Sequence, residues 1–326
     1  MTIIDVHTHM LTQEWVELLG STPSRYHLAK DPTKARSPER DRIHVAGVPY
    51  SFHTPHPPYF DWELRLEKMD EAGVDIAVVS LTCPSANFGD AEVSARAARI
   101  ANDDMIAAQQ RWPDRIRFLA TLPWQYPSEA LAALDYALEH GAVGVFTCAN
   151  IENDPLIHPR FAEIWAEIDR HALPVLVHPG PPPGVEVAAQ LGMSNAVGFH
   201  YDTTLAIERM INTGFLDRYQ QLSILGSHAG GFLPFIAGRL DYQRESPDIV
   251  PSEYLRRIYV DGMAFSDGAF DLTLEVFGPD NVLFGSDYPY GGLGGMEKFL
   301  ALIDDRVPEA HKDAVRGETA RKLFGI

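Results

Sequence analysis

Apolar positions along this chain gather in short, nearly continuous blocks, separated by longer stretches where they return every third or fourth residue. The blocks are IIDVHTH from Ile3, DIAVVSLT from Asp75, IRFLATLP from Ile116, AVGVFTC from Ala142, LPVLVHPG from Leu173, LSILGSHAG from Leu222, IYVDGMAF from Ile258 and VLFGSDYP from Val282. Each reads as a strand covered on both faces, the signature of a parallel sheet with helices outside. Between them, residues 90–111, 127–140, 159–171 and 202–213 carry helical spacing with few breakers. Eight strands alternating with helices predict an α/β fold, a (β/α)8 barrel. A doubly wound sheet is disfavoured, because no GxGxxG or GxxxxGK[ST] loop is present, and the GGLGG run at 291–295 has loop context.

One connection departs from the pattern. Residues 20–60, rich in Pro, His, Arg and Lys, separate the first strand from a helix predicted near Asp61. A βα connection much longer than about six residues is more often a lid or an interface element than a structural necessity. A surface excursion without a role is the alternative. The expected organisation is one domain over 1–326 with residues 20–60 inserted as a lid or interface segment.

Polar residues that end apolar strands sharpen the picture, because barrel active sites are assembled from strand C-terminal ends. His7 and His9 end the first block, His178 the fifth, His228 the sixth and Asp287 the eighth. Strand residues i and i+2 share a face, so His7 and His9 point two imidazoles inward while Thr8 faces the helices. With His178 and Asp287 they make a three-imidazole, one-carboxylate set that suits Zn²⁺ and tolerates Mn²⁺, Co²⁺ or Fe²⁺. A water in the remaining position would have its pKa lowered from about 15.7 toward about 7. Asp287, acidic at the end of an apolar strand, needs a cation or donors to offset its desolvation. His228, in GSHAGG, sits where glycines let the backbone bend, and it fits a general acid or base. A satisfied core histidine and a structural carboxylate remain the plain alternatives for these two.

Composition adds exclusions. With 27 Lys and Arg against 45 Asp and Glu, the formal net charge is −18, which lacks the basic footprint of a nucleic-acid binder. The length of 326 residues suits a barrel of about 250 residues plus insertions. Two cysteines, Cys83 and Cys148, are too few for a disulfide framework and favour a reducing compartment. The N-terminal MTIIDVHTHM is no charged leader, and no stretch approaches about 20 apolar residues, so the expected location is cytoplasmic with no membrane partner.

Taken together and in order, IDVHTH, VLVHPG, LGSHAGGF followed by GRLD, and LFGSDYP resemble the amidohydrolase-2 group typified by 2-amino-3-carboxymuconate 6-semialdehyde decarboxylase. γ-Resorcylate and 5-carboxyvanillate decarboxylases belong to the same group. The resemblance implies one Zn²⁺ or Mn²⁺ ion on His7, His9, His178 and Asp287, with His228 activating the metal water and moving protons. It implies non-oxidative decarboxylation of an aromatic or enolisable carboxylic acid, with hydrolysis or hydration of a lactone, amide or unsaturated acid as the alternative from the same site. A catalytically silent metal-binding barrel is the third reading, while the missing GxSxG elbow argues against a serine triad. Arg239 in GRLD matches a family arginine that binds substrate carboxylate, often across a homodimer interface, with a surface ion pair to Asp241 or Asp217 as its plain alternative. His53 stands where the semialdehyde decarboxylase has a second substrate arginine. Trp124, Phe146, His200 and Phe232 lie near predicted strand ends as candidates for an aromatic substrate slot.

Overall fold

A computed structural model describes residues 2–30, 41–45, 48–54, 56–184, 193–244, 246–290 and 295–326, and for residues 41 and 48–54 the backbone alone. Strand β1 (Ile4–His9) opens the barrel, and the inserted segment follows as β2 (Tyr26–Lys30), β3 (Asp41–Val45) and β4 (Val48–Thr54). The barrel resumes with β5 (Ile76–Ser80), β6 (Ile116–Thr121) and β7 (Gly144–Cys148). A two-residue ribbon, β8 (Asn150–Ile151) with β9 (Asp154–Pro155), precedes β10 (Pro174–His178), β11 (Ser223–Gly226), β12 (Tyr259–Asp261) and β13 (Val282–Leu283). The large sheet runs β1-β5-β6-β7-β10-β11-β12-β13, all neighbours parallel. All eight predicted strands are present, in sequence order. This is the (β/α)8 architecture.

The seam between the last strand and the first is irregular. β13 is only two residues long, so the extended chain after it completes the closure. Val6 N–H donates to Phe284 O at 3.0 Å, Asp287 N–H to His7 O at 2.7 Å and His9 N–H to Tyr288 O at 2.7 Å. Gly285 allows this approach, because a Cβ there would stand 2.8 Å from the Asp261 Cβ and 2.9 Å from the His7 Cβ. The seam therefore brings Asp287 beside β1.

Helix boundaries follow local chemistry. Asp90 caps helix Ala91–Arg111 by accepting from Val93 N–H, and Asp61 caps Trp62–Ala72 by accepting from Leu64 N–H. Proline starts Pro127–Glu139. The predicted 159–171 helix divides into a short 3₁₀ turn, Pro159–Phe161, and helix Ala162–Arg170. Helix Phe199–Asn212 begins before the expected 202, preceded by a π turn at Ser194–Gly198. The loop reading at 291–294 lies outside the described residues, and Gly295 begins helix Gly295–Arg306.

The inserted segment forms a small sheet of its own. β2, β3 and β4 pair antiparallel, with Tyr26 opposite Val45, Leu28 opposite Ile43 and Arg42 opposite His53. Tyr26, Ile43 and Val45 are buried, so the small sheet has an apolar face of its own. Strands this short, written YHLAK and DRIHV, alternate too few apolar residues to stand out in sequence. Leu11 N–H donates to Tyr59 O at 2.8 Å and ties the end of the insertion to the mouth of the barrel.

Behind β1 lies a wholly buried cation. Arg65 donates to Thr8 Oγ1 at 2.7 Å and to the His9 carbonyl, and its guanidinium lies 4.7 Å from the Tyr288 ring centroid. Thr8 thus faces the helices, as the alternation predicts. Burial lowers the Arg65 pKa to about 10, which leaves it charged at neutral pH.

Candidate active site

His7 and His9 from β1, His178 from the end of β10 and Asp287 beyond β13 converge at the C-terminal mouth of the barrel. One ligand atom from each lies within 4.8 Å of the others, and all four residues are buried. The His7 and His9 Nε2 atoms are 3.1 Å apart, and Asp287 Oδ1 is 3.1 Å from His9 Nε2 and 3.5 Å from His7 Nε2. Two nitrogens about 2.0–2.1 Å from one ion would stand about 2.9–3.4 Å apart at octahedral to tetrahedral angles. The observed spacing fits.

The outer ring nitrogens settle which edge faces the centre. His7 Nδ1 meets Asp261 Oδ2 at 2.6 Å, His9 Nδ1 meets Leu81 O at 3.0 Å and His178 Nδ1 meets Pro179 O at 3.0 Å. Three acceptors therefore hold the protons on Nδ1 and leave three Nε2 lone pairs aimed at one point beside a carboxylate oxygen. Lone pairs converging in a dry site repel one another unless a cation lies between them. The residues fit a single divalent ion.

Electrostatics agree with that geometry. Burial, reinforced by repulsion from His9, His7 and His228, holds His178 well below the usual imidazole range, and burial also lowers His9. Both rings are thus neutral donors. In His7, burial is outweighed by the hydrogen bond and charge of Asp261, which raise its pKa. In Asp287, burial is outweighed by hydrogen bonds to His228 and His9 and by the charge of His7, so the carboxyl stays well below its ordinary range.

His228 stands two residues past β11, in a turn rather than on the strand. His228 and Ala229 both take positive φ, 54° and 55°, a region costly for residues other than glycine. Gly230 and Gly231 continue the turn, and a Cβ on Gly231 would come within 2.4 Å of His200 O. Asp261, at the end of β12, secures this backbone: Oδ2 accepts from His228 N–H and Oδ1 from Ala229 N–H, each at 2.8 Å. The turn places His228 Nε2 3.7 Å from Asp287 Oδ2. One oxygen of Asp287 faces the histidine cluster and the other faces His228.

These groups open into a cavity of about 320 Å³, lined by His178, Asp287 and His228 and walled by Tyr59, Phe199, Phe265 and Tyr290. Arg42, His56, Thr82, Asn195, His200, Met263 and Pro289 complete the lining. Of the predicted substrate contacts, His200 lines the cavity, and burial and the nearby His228 push its pKa down to about 4. Phe232 stacks on His200 with centroids 5.6 Å apart but lines an adjoining open groove. Phe146 is wholly buried behind the ligand cluster, 5.6 Å from the His178 ring. Trp124 is corrected to a core residue, packed on Trp165 and Phe161 away from the cavity. Arg239 does not line the cavity of its own chain; it lies exposed on helix Leu233–Gln243, with Nε donating to Gln243 Oε1 at 3.1 Å. The side chain of His53 lies outside the described residues. Sequence reasoning missed Asp261, Arg42, Tyr59, Phe199 and Tyr290. A polar residue inside the apolar IYVDG block was the available signal for Asp261.

A mononuclear histidine–carboxylate centre at the mouth of a (β/α)8 barrel defines a class of metal-dependent barrel proteins. The sequence matches the amidohydrolase family over residues 4–326, and the chain belongs to that family. It is 27% identical over 304 residues to the 2-amino-3-carboxymuconate-6-semialdehyde decarboxylase of Dictyostelium discoideum, covering 88% of this chain and 81% of that protein. The 5-carboxyvanillate decarboxylase LigW from Sphingomonas paucimobilis superposes with a TM-score of 0.83 at 27% identity, covering 100% of this chain and 99% of that one. A 5-carboxyvanillate decarboxylase from Novosphingobium aromaticivorans DSM 12444, solved with manganese and 4-hydroxy-3-methoxy-5-nitrobenzoic acid, shares the fold at 22% identity. Its TM-score is 0.82 over 100% of this chain and 96% of that one.

Proposed function

We propose that this chain is a metal-dependent carboxy-lyase that removes CO₂ without oxidation from an aromatic carboxylic acid. The observation that carries the reading is the two-sided Asp287, joining a four-donor cluster to His228 at the floor of an aromatic-walled cavity. A cavity of about 150 Å³ accommodates benzene, so about 320 Å³ has room for a substituted ring.

His7, His9, His178 and Asp287 would hold one divalent ion, zinc by donor type, with manganese the competing occupant. When bound, the ion supplies Lewis acidity toward substrate oxygens and offsets the negative charge that develops on them. Tyr59, Phe199, Phe265 and Tyr290 hold the ring and exclude water. His228 Nε2 delivers a proton to the ring carbon that bears the carboxylate, which breaks conjugation. The C–C bond then breaks, its electron pair restores the aromatic ring, and CO₂ leaves. Asp287 Oδ2 steadies His228 during the transfer.

Arg239 belongs to the same proposal through a homodimer. With Phe235 (82% exposed) and Tyr242 (88% exposed) it occupies one face of its helix at spacing i, i+4 and i+7. That face would pair with a second copy and present Arg239 to the partner's cavity mouth. The inserted sheet forms an outer wall of the cavity through Arg42. Both cysteines are buried and neither is in a disulfide, which suits a reducing compartment such as the cytoplasm. Among the described residues no helix is long and apolar enough to cross a membrane.

The test is CO₂ release from hydroxybenzoates and carboxymuconate-type acids by protein of measured zinc and manganese content. Release that depends on the metal and on His228 supports the reading. Turnover of lactones or amides with no CO₂ from any acid would replace it with a hydrolase.

A further inference from the structure

Asp287 ties the histidine cluster to His228, and its backbone is strained. Its φ is 52°, a conformation that a residue other than glycine keeps only where its surroundings over-determine it. Those surroundings are the barrel seam, which grips the chain on both sides of Asp287. On the inner face Asp5 of β1 accepts from Ser286 Oγ–H at 2.6 Å and from Ser286 N–H at 3.1 Å. Ser286 Oγ in turn accepts from Tyr288 N–H at 3.0 Å. On the outer face Thr8 Oγ1 donates to Tyr288 O at 3.2 Å while accepting from Arg65 at 2.7 Å. Arg65 also donates to the His9 carbonyl, and His9 N–H meets the same Tyr288 O at 2.7 Å. Asp5, Thr8, Arg65 and Ser286 are all wholly buried.

We propose that this two-sided clamp sets the coordination geometry of the metal centre. Asp5 and Arg65 are positioning residues: the first acts through Ser286, the second through Thr8 and Tyr288, and together they hold Asp287 in its strained conformation. This rests on the metal-centre part of the proposed function and is independent of the reaction. The physical case starts from the double task of Asp287, which puts Oδ1 3.1 Å from His9 Nε2 and Oδ2 3.7 Å from His228 Nε2 at once. With one anchor gone, the backbone at 287 relaxes toward negative φ, and the carboxylate swings with its Cα. Regular pairing does not prevent this, because β13 is only two residues long. A buried guanidinium is costly to keep, and this one spends its donors on the seam. His9 is fixed to the same Tyr288 carbonyl, so the clamp governs the spacing of two of the four donors.

Cobalt(II) is the probe, because its visible d–d absorption reports the number and arrangement of its donors. Thr8→Val removes the outer hydroxyl at nearly constant volume and Ser286→Ala removes the inner one; neither side chain belongs to the four-donor cluster. Each should lower cobalt affinity about 10–100-fold in chelator competition and shift the d–d bands, whereas Thr8→Ser, which keeps the hydroxyl, should retain wild-type values. The double variant should lose less than the product of the two single losses, because either change frees the same aspartate. Contacts that only stabilise the fold would lower urea stability, leave the bands in place and give losses that multiply. Unshifted bands in Thr8→Val and Ser286→Ala overturn the proposal, and so do multiplying losses. If one variant fails to fold, the other decides by its bands, and Arg65→Lys, which keeps the charge without the fork, reads the outer side again. Full cobalt uptake by the wild type with unshifted variants removes the clamp and leaves the metal centre, whereas a wild type that binds no cobalt removes both.

Discussion

Asp261 should couple metal binding to the strained turn at His228, and Asp261→Asn tests this at nearly constant volume. Its carboxylate accepts four hydrogen bonds in a fully buried site. Oδ2 takes His7 Nδ1–H at 2.6 Å and His228 N–H at 2.8 Å; Oδ1 takes Ala229 N–H at 2.8 Å and Met263 N–H at 3.0 Å. An asparagine keeps one acceptor oxygen, so whichever way the amide turns, two donors face an NH₂ group. Each lost bond to a charged acceptor costs about 1.5–3 kcal/mol, so the metal-free fold should lose about 3–6 kcal/mol in urea unfolding. The missing negative charge also weakens His7 as a ligand, and comparable losses behind metal-bound histidines lower affinity by about 10–100-fold. Chelator competition reads the second quantity, and unfolding with and without saturating metal reads both through linkage. If Asp261→Asn unfolds within about 1 kcal/mol of wild type and keeps its metal affinity within about threefold, the coupling is wrong.

Three further outcomes follow from the same contacts. Gly285→Ala places a carbon 2.8–2.9 Å from the Cβ atoms of Asp261 and His7, so it should cost about 1–3 kcal/mol and weaken metal binding; wild-type values on both measures would refute the packing argument. His228→Asn should lower kcat about 10²–10⁴-fold while metal content stays at one equivalent, because His228 lies outside the four-donor cluster; parallel loss of metal would contradict that division. Asp202 has its carboxyl raised to about 7 by burial, against the opposing hydrogen bonds from Gly180 and Asn150. The folded state then holds a proton that the unfolded state releases near 3.8, so stability falls as pH rises between those values and levels above about 7. Asp202→Asn should remove that slope, at most about 1.4 kcal/mol per pH unit, and parallel wild-type and variant curves between pH 5.5 and 8 would refute it.

The sequence by itself determined the barrel and its principal chemistry. Short apolar blocks alternating with stretches of helical spacing fit strands of a covered parallel sheet, and eight of them close a barrel. The i, i+2 spacing of His7 and His9 put both on the inner face because strand side chains alternate, and Thr8 accordingly meets Arg65 on the outer face. Tertiary structure decided what depends on contacts between distant segments. Asp261 lies 254 residues from the histidine it orients, so no local pattern could reveal that bond. Trp124 and His200 looked alike as aromatic residues near strand ends, yet packing put one against Trp165 and the other against the cavity. Residues 20–60 lacked a strong period, and their sheet became visible only when cross-strand pairing brought Arg42 to the cavity wall. Periodicity reports which face of an element is buried; which charge stands opposite a metal site is set by how far-apart elements pack.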